Sequence, residues 1–570
     1  MSHDVHIRGG RVLDGTGAPA QRVDVAIEGG RIVEVAERLE GSAARTIEAD
    51  GRIVCPGFVD LHTHYDIQAF WDPALSPSPL HGVTTAIAGN CGFSVAPMAP
   101  SEADYLMQML ARVEGMPLDS LAAATDWGWD SFASYLSRLD GTVAPNLGFL
   151  AGHSAIRRVT MGAAANERTA TEDEVAAMRR LLAECLDAGA LGFSSSWAPT
   201  HLDGDGVPVP SRFADEAELL DLCDEVRRHP CSALEFIPGL GDFTEAEGEL
   251  MGRMSATADR PLNWNVLVVM AGIAERVEAQ LAASDRAAEL GGRVLGLTIP
   301  TTVRPRLSFA SGFLLDTIPG WQVPMTESHA DKVARLSSPE RRAELLATAG
   351  DARLGLANFG QYVLTECTSP DTVQYEGRTV ADVAAEMGLE PFDALCDIAL
   401  ANDLRTGFMF PPYGDTEDDW KARVDVWRDP RAIIGASDAG AHLDFLATFN
   451  YPTILLRRAV VDFGLLSWEE AVALMTDAPA RLYGLVDRGR LVEGAHADVV
   501  VVDPDRVGPE PVVSRVDLPA GGWRLYGGAT GIDHVLVNGV EVVTDGTIGE
   551  ARPGTVLRSG RDTAAVSVSS

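Results

Sequence analysis

The sequence predicts an α/β fold, a (β/α)8 barrel carrying a small β-domain, and three observations lead there. Between about residues 57 and 484, apolar runs of strand length alternate with longer stretches of helical periodicity, the pattern of β/α units around a parallel sheet. Candidate strands fall at 57–61, 83–88, 146–151, 190–194, 232–237, 262–269, 293–299 and 432–436. Both chain ends, by contrast, read as short strands and tight turns. In a barrel of this kind the strand C-termini build the active site, so the residues that end each run are the ones to read for chemistry.

Residues 1–56 form the first half of the expected β-domain. VDVAIEGGRIVEVA places Gly29-Gly30 between two alternating runs, a hairpin signal. Residues 485–560 read the same way: HADVVVVDPD (496–505) is a buried strand, and VLVNGVEVV (535–543) turns at Asn538-Gly539. The two halves are expected to meet in one domain with the barrel inserted between them; two separate β caps are the alternative. Inside the barrel segment, Thr171 to Glu174 is a capping box. Val175, Met178, Leu181, Leu182 and Cys185 follow at helical spacing until Gly189. Ser467 to Glu470 opens another such helix. Residues 300–430, where Pro, Gly and aromatic residues interrupt short helices, read as a large excursion covering the active-site mouth. The tail 561–570 reads as disordered.

Composition narrows the function. A chain of 570 residues accommodates one large domain with a satellite, or two to three domains. A net charge of −36 argues against nucleic acid and against an anionic membrane surface, both of which call for basic patches. Lysine occurs only at Lys332 and Lys421. Seven cysteines without a CxxC pair argue against a disulfide framework and for a reducing compartment. The N-terminus MSHDVHIRGG lacks a signal pattern, and no apolar run approaches about 18 residues. A cytoplasmic protein acting on a small-molecule substrate is expected, with homo-oligomerisation the one protein partnership left open.

The chemistry concentrates at the run ends. The first run leads into His62-Thr63-His64, and side chains alternate along a strand, so His62 and His64 point the same way as half of a metal site. Cys91, His153 and Asp438 follow the second, third and eighth runs, and Glu235 and Asn265 lie within the fifth and sixth. A barrel makes such positions converge; without one they are scattered polar loop residues.

The stretches PGFVDLHTHYD, GVTTAIAGNCGFSVAP, GHSAIRRVTMG, ALGFSSSW, IGASDAGAH and ARLYGLVDRGRLVEGAHADVVVVDPD resemble the amidohydrolase superfamily, and within it the D-aminoacylase (N-acyl-D-amino-acid deacylase) branch. The resemblance spans most of the chain, only 300–430 being weakly covered. It implies a metal-dependent hydrolase on a (β/α)8 barrel, with a β-sandwich built from both chain ends. It makes His62 and His64 strand-1 metal ligands, Cys91 a metal-bridging thiolate, and Asp438 a metal ligand that shuttles the proton. A buried inert thiol is the competing reading of Cys91. His153 and Arg157 match a segment with a structural or substrate-side role. The branch places histidines on strands 5 and 6, and here Glu235 and Asn265 stand instead, with Asn263 an alternative to Asn265. Leu267 occupies the place of a lysine two residues past the strand-6 histidine. Glu235 is a further candidate ligand; a neutral Asn is a poor one for zinc. One Zn2+ is therefore expected rather than two.

Substrate contacts are expected from His153, Arg157, Asn265 and His442, the last lying four residues beyond Asp438. Arg157 or Arg304 is expected to receive an anionic group of the substrate. His81, His201, His229, His496 and His534 read as loop or helix-end residues rather than ligands, and His329 as structural. The expected reaction is hydrolysis of a non-peptide amide, such as an N-acyl amino acid. A cyclic amide, ureide or lactone hydrolase, and a scaffold protein that has lost catalysis, are the competing readings.

Overall fold

Barrel strand 1 runs over Phe58–Asp60 and continues in His62–Thr63; strand 2 is Val83–Ala88. Strand 3 is Asn146–Phe149 continuing in Ala151–Gly152, strand 4 Gly192–Ser196, and strand 5 Ala233–Ile237. Strand 6 is Leu262–Leu267, strand 7 Val294–Thr298, and strand 8 Ala432–Ile434 continuing in Ala436–Ala439. Each coincides with one of the apolar runs read from the sequence. Neighbours pair in parallel all the way round, and the ring closes where Ala436 pairs with His62. That seam sets the strand bearing Asp438 beside the strand bearing the two histidines. Val59, Ile87, Leu150, Leu191 and Leu297 fill the interior, so the barrel is a packed core rather than a pore. This computed structural model describes residues 2–239, 241, 244–351 and 355–569.

Local signals behave as their chemistry predicts. Thr171 Oγ1 accepts from the Glu174 N–H, and the Glu174 carboxylate accepts from the Thr171 N–H at 2.8 Å. The helix Glu172–Ala188 follows and stops at Gly189, whose φ of 116° suits only a residue without Cβ. The Ser467–Glu470 box opens Trp468–Met475 in the same way.

The chain ends meet in one β-sandwich. One sheet orders its strands 31–36, 24–28, 2–8 and 42–48; the other runs 547–548, 540–544, 532–537, 499–502, 53–56, 11–12 and 21–22. Val499–Val502 pairs antiparallel with Ile53–Pro56, Val500 opposite Cys55, which joins the two ends directly and rules out separate caps. Val499 and Val501 pack between the sheets with Val5, Val25 and Ile27. Val500 and Val502 pack with Ile53, Tyr451 and Met475 against the barrel. Both faces of this strand are covered, which explains four valines without polar alternation.

Residues 300–430 carry an antiparallel sheet of Arg306–Leu307, Gly407–Met409 and Val363–Glu366, with helices such as Val380–Met387 and Pro391–Ala401. Phe309, Trp321, Phe392 and Phe408 give it a core of its own. Phe313 reaches from it to the barrel mouth, its ring centroid 5.1 Å from that of His442. The tail corrects the expectation of disorder. Thr563 bridges to Leu485, the Val566 N–H donates to Pro230 O at 3.0 Å, and Val556, just ahead of the tail, bridges to Leu147. Leu557 is fully buried among the barrel-interior residues. Alternating Ala, Val and Ser look featureless in sequence but suit a chain that caps the barrel floor. Among the described residues no helix is long and apolar enough to cross a membrane. All seven cysteines are free.

Candidate metal centre and substrate cavity

The end of strand 1 and the turn after strand 2 build the centre. Thr63, on the opposite face from its neighbours, anchors its Oγ1 on Ile87 O at 2.9 Å, which leaves His62 and His64 side by side with ring centroids 5.2 Å apart. After strand 2 the chain turns through Asn90–Gly92, and Cys91 sits there at φ 55°, a left-handed conformation unusual for a side chain with Cβ. Asn90 Nδ2 donates to Thr63 O and Ile87 O at 3.1 and 3.0 Å and so locks this turn onto strand 1. One donor atom each from His62, His64 and Cys91 lies within 4.8 Å of the others, and all three residues are buried. His62 Nε2 is 3.6 Å from Cys91 Sγ.

Carboxylates surround this cluster. Asp438, at φ 58° on strand 8, places Oδ1 3.2 Å from His64 Nε2 and 3.7 Å from His62 Nε2. Glu114, just past the helix Ala103–Val113, places Oε1 3.4 Å from the other nitrogen of His64. Glu235 Oε2 accepts from the Cys91 N–H at 2.8 Å, while its Oε1 is buried without a hydrogen-bond partner. Asn265 Nδ2 donates to Cys91 Sγ at 3.4 Å. Asn263 bonds Leu234 O and Tyr483 Oη instead, so Asn265 is the strand-6 residue that faces the centre. His442 Nε2 is 3.8 Å from Asp438 Oδ2.

The electrostatics follow from burial and these pairings. Burial, reinforced by His64, lowers His62 to about 3, so it is a neutral imidazole. Burial works against the His64 imidazolium too, yet Glu114 and Asp438 raise it to about 9. Asp438 is held well below the usual carboxylate range despite its burial, by the His64 hydrogen bond and the charge of His442. Burial raises Glu235 to about 8 and Glu114 to about 7. One compartment thus holds an ionised carboxylate, Asp438, beside Glu235, whose carboxyl burial keeps protonated at neutrality, the separation that acid–base sites use.

These residues open on a cavity of about 320 Å³, at the lower end of the size of small-molecule sites. His62, His64, Cys91, Asn265, Asp438 and His442 line it, as do Phe313, Leu314, Asp316 and Thr317 from the excursion. Arg112, Glu114 and His201 also line it and were not singled out by sequence. His201 follows strand 4 by a few residues, so the strand-end rule applied to ALGFSSSW would have found it; its Nδ1 lies 2.6 Å from Ser196 Oγ. Arg112 and Glu114 come from a helix between strands 2 and 3, with no motif to mark them.

His153 and Arg157 lie elsewhere, which corrects their assignment to substrate. Both are fully buried behind the cavity wall on one carboxylate, Glu218: His153 Nε2 at 2.8 Å and Arg157 in an ion pair. His153 Nδ1 is 2.8 Å from Ser195 Oγ, which leaves the ring no free nitrogen. Burying a guanidinium is tolerated only with such a partner, so the network is architectural. Arg304 is exposed and does not line the cavity. His81 contacts Thr453 and Gly527; His229, His329 and His534 pair with Asp187, Asp403 and Glu541. His496 donates its N–H to Asp487 O. None of these five lines the cavity.

Two imidazoles and a thiol at one buried point are the donor types that zinc takes, and the neutral Asn265 amide beside the thiol adds no competing charge. The residues present therefore fit a zinc ion: His62, His64 and Cys91 would hold it, with Asp438 beside them.

Comparison with known proteins agrees with this geometry. N-acyl-D-glutamate deacylase of Alcaligenes xylosoxydans xylosoxydans is 29% identical over 571 residues, covering 97% of this chain and 96% of that protein. The crystal structure of N-acyl-D-glutamate deacylase from Bordetella bronchiseptica, complexed with zinc and a phosphonate that mimics the tetrahedral intermediate, matches with TM-score 0.66 and 27% identity, over 98% of this chain and 100% of that one. A D-aminoacylase structure concerned with its binuclear metal centre, where one metal activates and the second attenuates, matches with TM-score 0.64 and 25% identity over 98% and 100%. The profile of the Amidohydrolase family matches residues 45–543, and the chain belongs to that family.

Proposed function

We propose that the protein hydrolyses the amide C–N bond of N-acyl amino acids, with one zinc ion and with Asp438 as proton shuttle. The observation that carries this reading is Asp438 Oδ1 at 3.2 Å from His64 Nε2, against the His62–His64–Cys91 cluster and on the wall of a cavity. The full-length likeness to N-acyl-D-glutamate deacylase supports the substrate class.

A zinc ion held by His62, His64 and Cys91 would supply Lewis-acid activation of the amide carbonyl and of a water molecule. Asp438, ionised, takes a proton from the attacking water as the water oxygen bonds to the carbonyl carbon, and returns it to the nitrogen as the C–N bond breaks. The products are a carboxylic acid, which ionises at neutral pH, and a free amine. Asp438 at Nε2 and Glu114 at Nδ1 orient the His64 ring from both sides. Glu235 spends one oxygen on the Cys91 amide and Asn265 is neutral, which favours one metal over two.

Metal analysis together with a substrate panel tests the reading. About one equivalent of zinc after zinc-supplemented expression, with turnover of N-acyl-D- or L-amino acids above that of cyclic ureides, is the expected result. Less than about 0.2 equivalents and no gain of activity on loading would overturn it. Two tightly held equivalents would mean that Glu235 or Asn265 is a ligand.

A further inference from the structure

The inner cavity shares a wall with a larger outer one of about 950 Å³, and Arg112, Phe313 and Asp316 line both. We propose that Arg112 is the docking point for the free carboxylate of the substrate, and that the cavity selects N-acyl amino acids with a single carboxylate and an apolar side chain. The inference rests on the N-acyl amino acid reading of the same site and names the residue and substrate class within it.

Charge is the first argument. Among the described residues lining the inner cavity, Arg112 is the one arginine or lysine; Glu114, Asp316 and Asp438 are its acidic groups. An anion that enters meets one permanent cation. A second carboxylate, as in an N-acyl dicarboxylic amino acid, would face Glu114, Asp316 or Asp438 without a counter-charge.

Geometry is the second. Arg112 Nη1 donates to the nearly buried Asp316, whereas the Arg112 side chain itself is 25% exposed. A guanidinium has five N–H donors in a planar fork, so an edge held by Asp316 leaves others open and already oriented. The fork is therefore set before substrate arrives, and less side-chain freedom is lost on binding. Arg112 also stands two residues before Glu114, whose carboxylate touches His64, so the docking point and the reacting centre leave the same helix end. Ile237, Val266, Ile299, Leu314 and Phe445 give the wall an apolar part. Those groups suit a hydrocarbon side chain or acyl group and offer nothing to a second charge.

The experiment compares N-acetyl-D-leucine, its carboxamide and N-acetyl-D-glutamate on the zinc-loaded enzyme, on Arg112→Lys and on the double variant Arg112→Gln/Asp316→Asn. The double variant removes the cation without stranding the buried Asp316. For N-acetyl-D-leucine it should raise KM at least about 30-fold with kcat within about 3-fold, the signature of lost uniform binding. Arg112→Lys should restore part of the loss. The carboxamide should be a poor substrate of the wild type and be unaffected by the variant, and N-acetyl-D-glutamate should be disfavoured throughout. Equal wild-type turnover of acid and carboxamide would overturn the proposal and leave amide hydrolysis standing. If nothing is turned over but calorimetry shows N-acetyl-D-leucine binding that the double variant abolishes, the docking role stands and the hydrolase reading falls. Absence of both binding and turnover would overturn the two together.

Discussion

The Cys91 N–H donates to Glu235 Oε2 at 2.8 Å, a bond that ties the turn after strand 2 to strand 5 across the barrel mouth. Cys91 occupies a left-handed backbone conformation, so this bond helps hold the thiol where His62 and His64 are. Glu235→Ala strands a buried N–H and should cost about 1–3 kcal/mol of stability in chemical denaturation, with a fall in zinc content. Glu235→Gln, whose amide oxygen still accepts, should cost less than about 1 kcal/mol. Equal losses from the two variants would count against the bond.

Asp438 lies within reach of both histidines and is the ionised carboxylate at the centre. Asp438→Asn preserves shape but cannot take a proton, so kcat should fall by about 10²–10⁴-fold. Zinc content measured on the same preparation separates lost proton transfer from lost metal. Activity within about 10-fold of wild type would refute the shuttle.

His81 is buried where the β-sandwich meets the barrel, its nitrogens 2.7 Å from Thr453 Oγ1 and 3.2 Å from Gly527 O. Burial lowers it to about 4, so the folded protein holds it neutral while the unfolded chain protonates near 6.5. The folded value is the lower one. Its contribution is therefore complete above pH 6.5 and lost as the pH falls towards 4, by up to about 3 kcal/mol. His81→Gln removes that proton linkage. The stability gap between wild type and variant should shrink as denaturation is measured from pH 7 down to 4.5; a constant gap would refute it.

Leu557 is fully buried under the barrel, among Leu191, Leu295 and Leu485. Leu557→Ala should cost about 2–4 kcal/mol through the cavity it leaves. Removing residues 561–570 breaks the Ala564–Gly484 and Val566–Pro230 backbone bonds and should lower the thermal midpoint. A disposable tail would leave the midpoint unchanged.

The legible parts of the site are those set by short-range rules. His62 and His64 share a face because a strand alternates, and Cys91 and Asp438 are marked by following apolar runs. His201 obeyed the same rule but was set aside as a loop histidine. Arg112 and Glu114 carried no mark, because a surface-spaced Arg and Glu on a helix look alike whether they face water or a cavity. His153 and Arg157 show the converse. Their motif was visible, but only the position of Glu218, sixty or so residues on, decides that their hydrogen bonds are already spent.

The sequence by itself determined the eight strands, the capped helices, the paired histidines and the pairing of the chain ends as one of two options. Periodicity, capping and turn chemistry depend on residues within a few positions of each other, so they are written locally. The tertiary structure decided the rest: one composite sandwich through Val500 opposite Cys55, an ordered tail on the barrel floor, and Asp438 beside His64 at the seam. It also decided that the cavity's fixed cation is Arg112. Each of these depends on contacts between residues far apart in the chain, whose meeting is set by ring closure and by which apolar faces bury each other, and no local pattern encodes that.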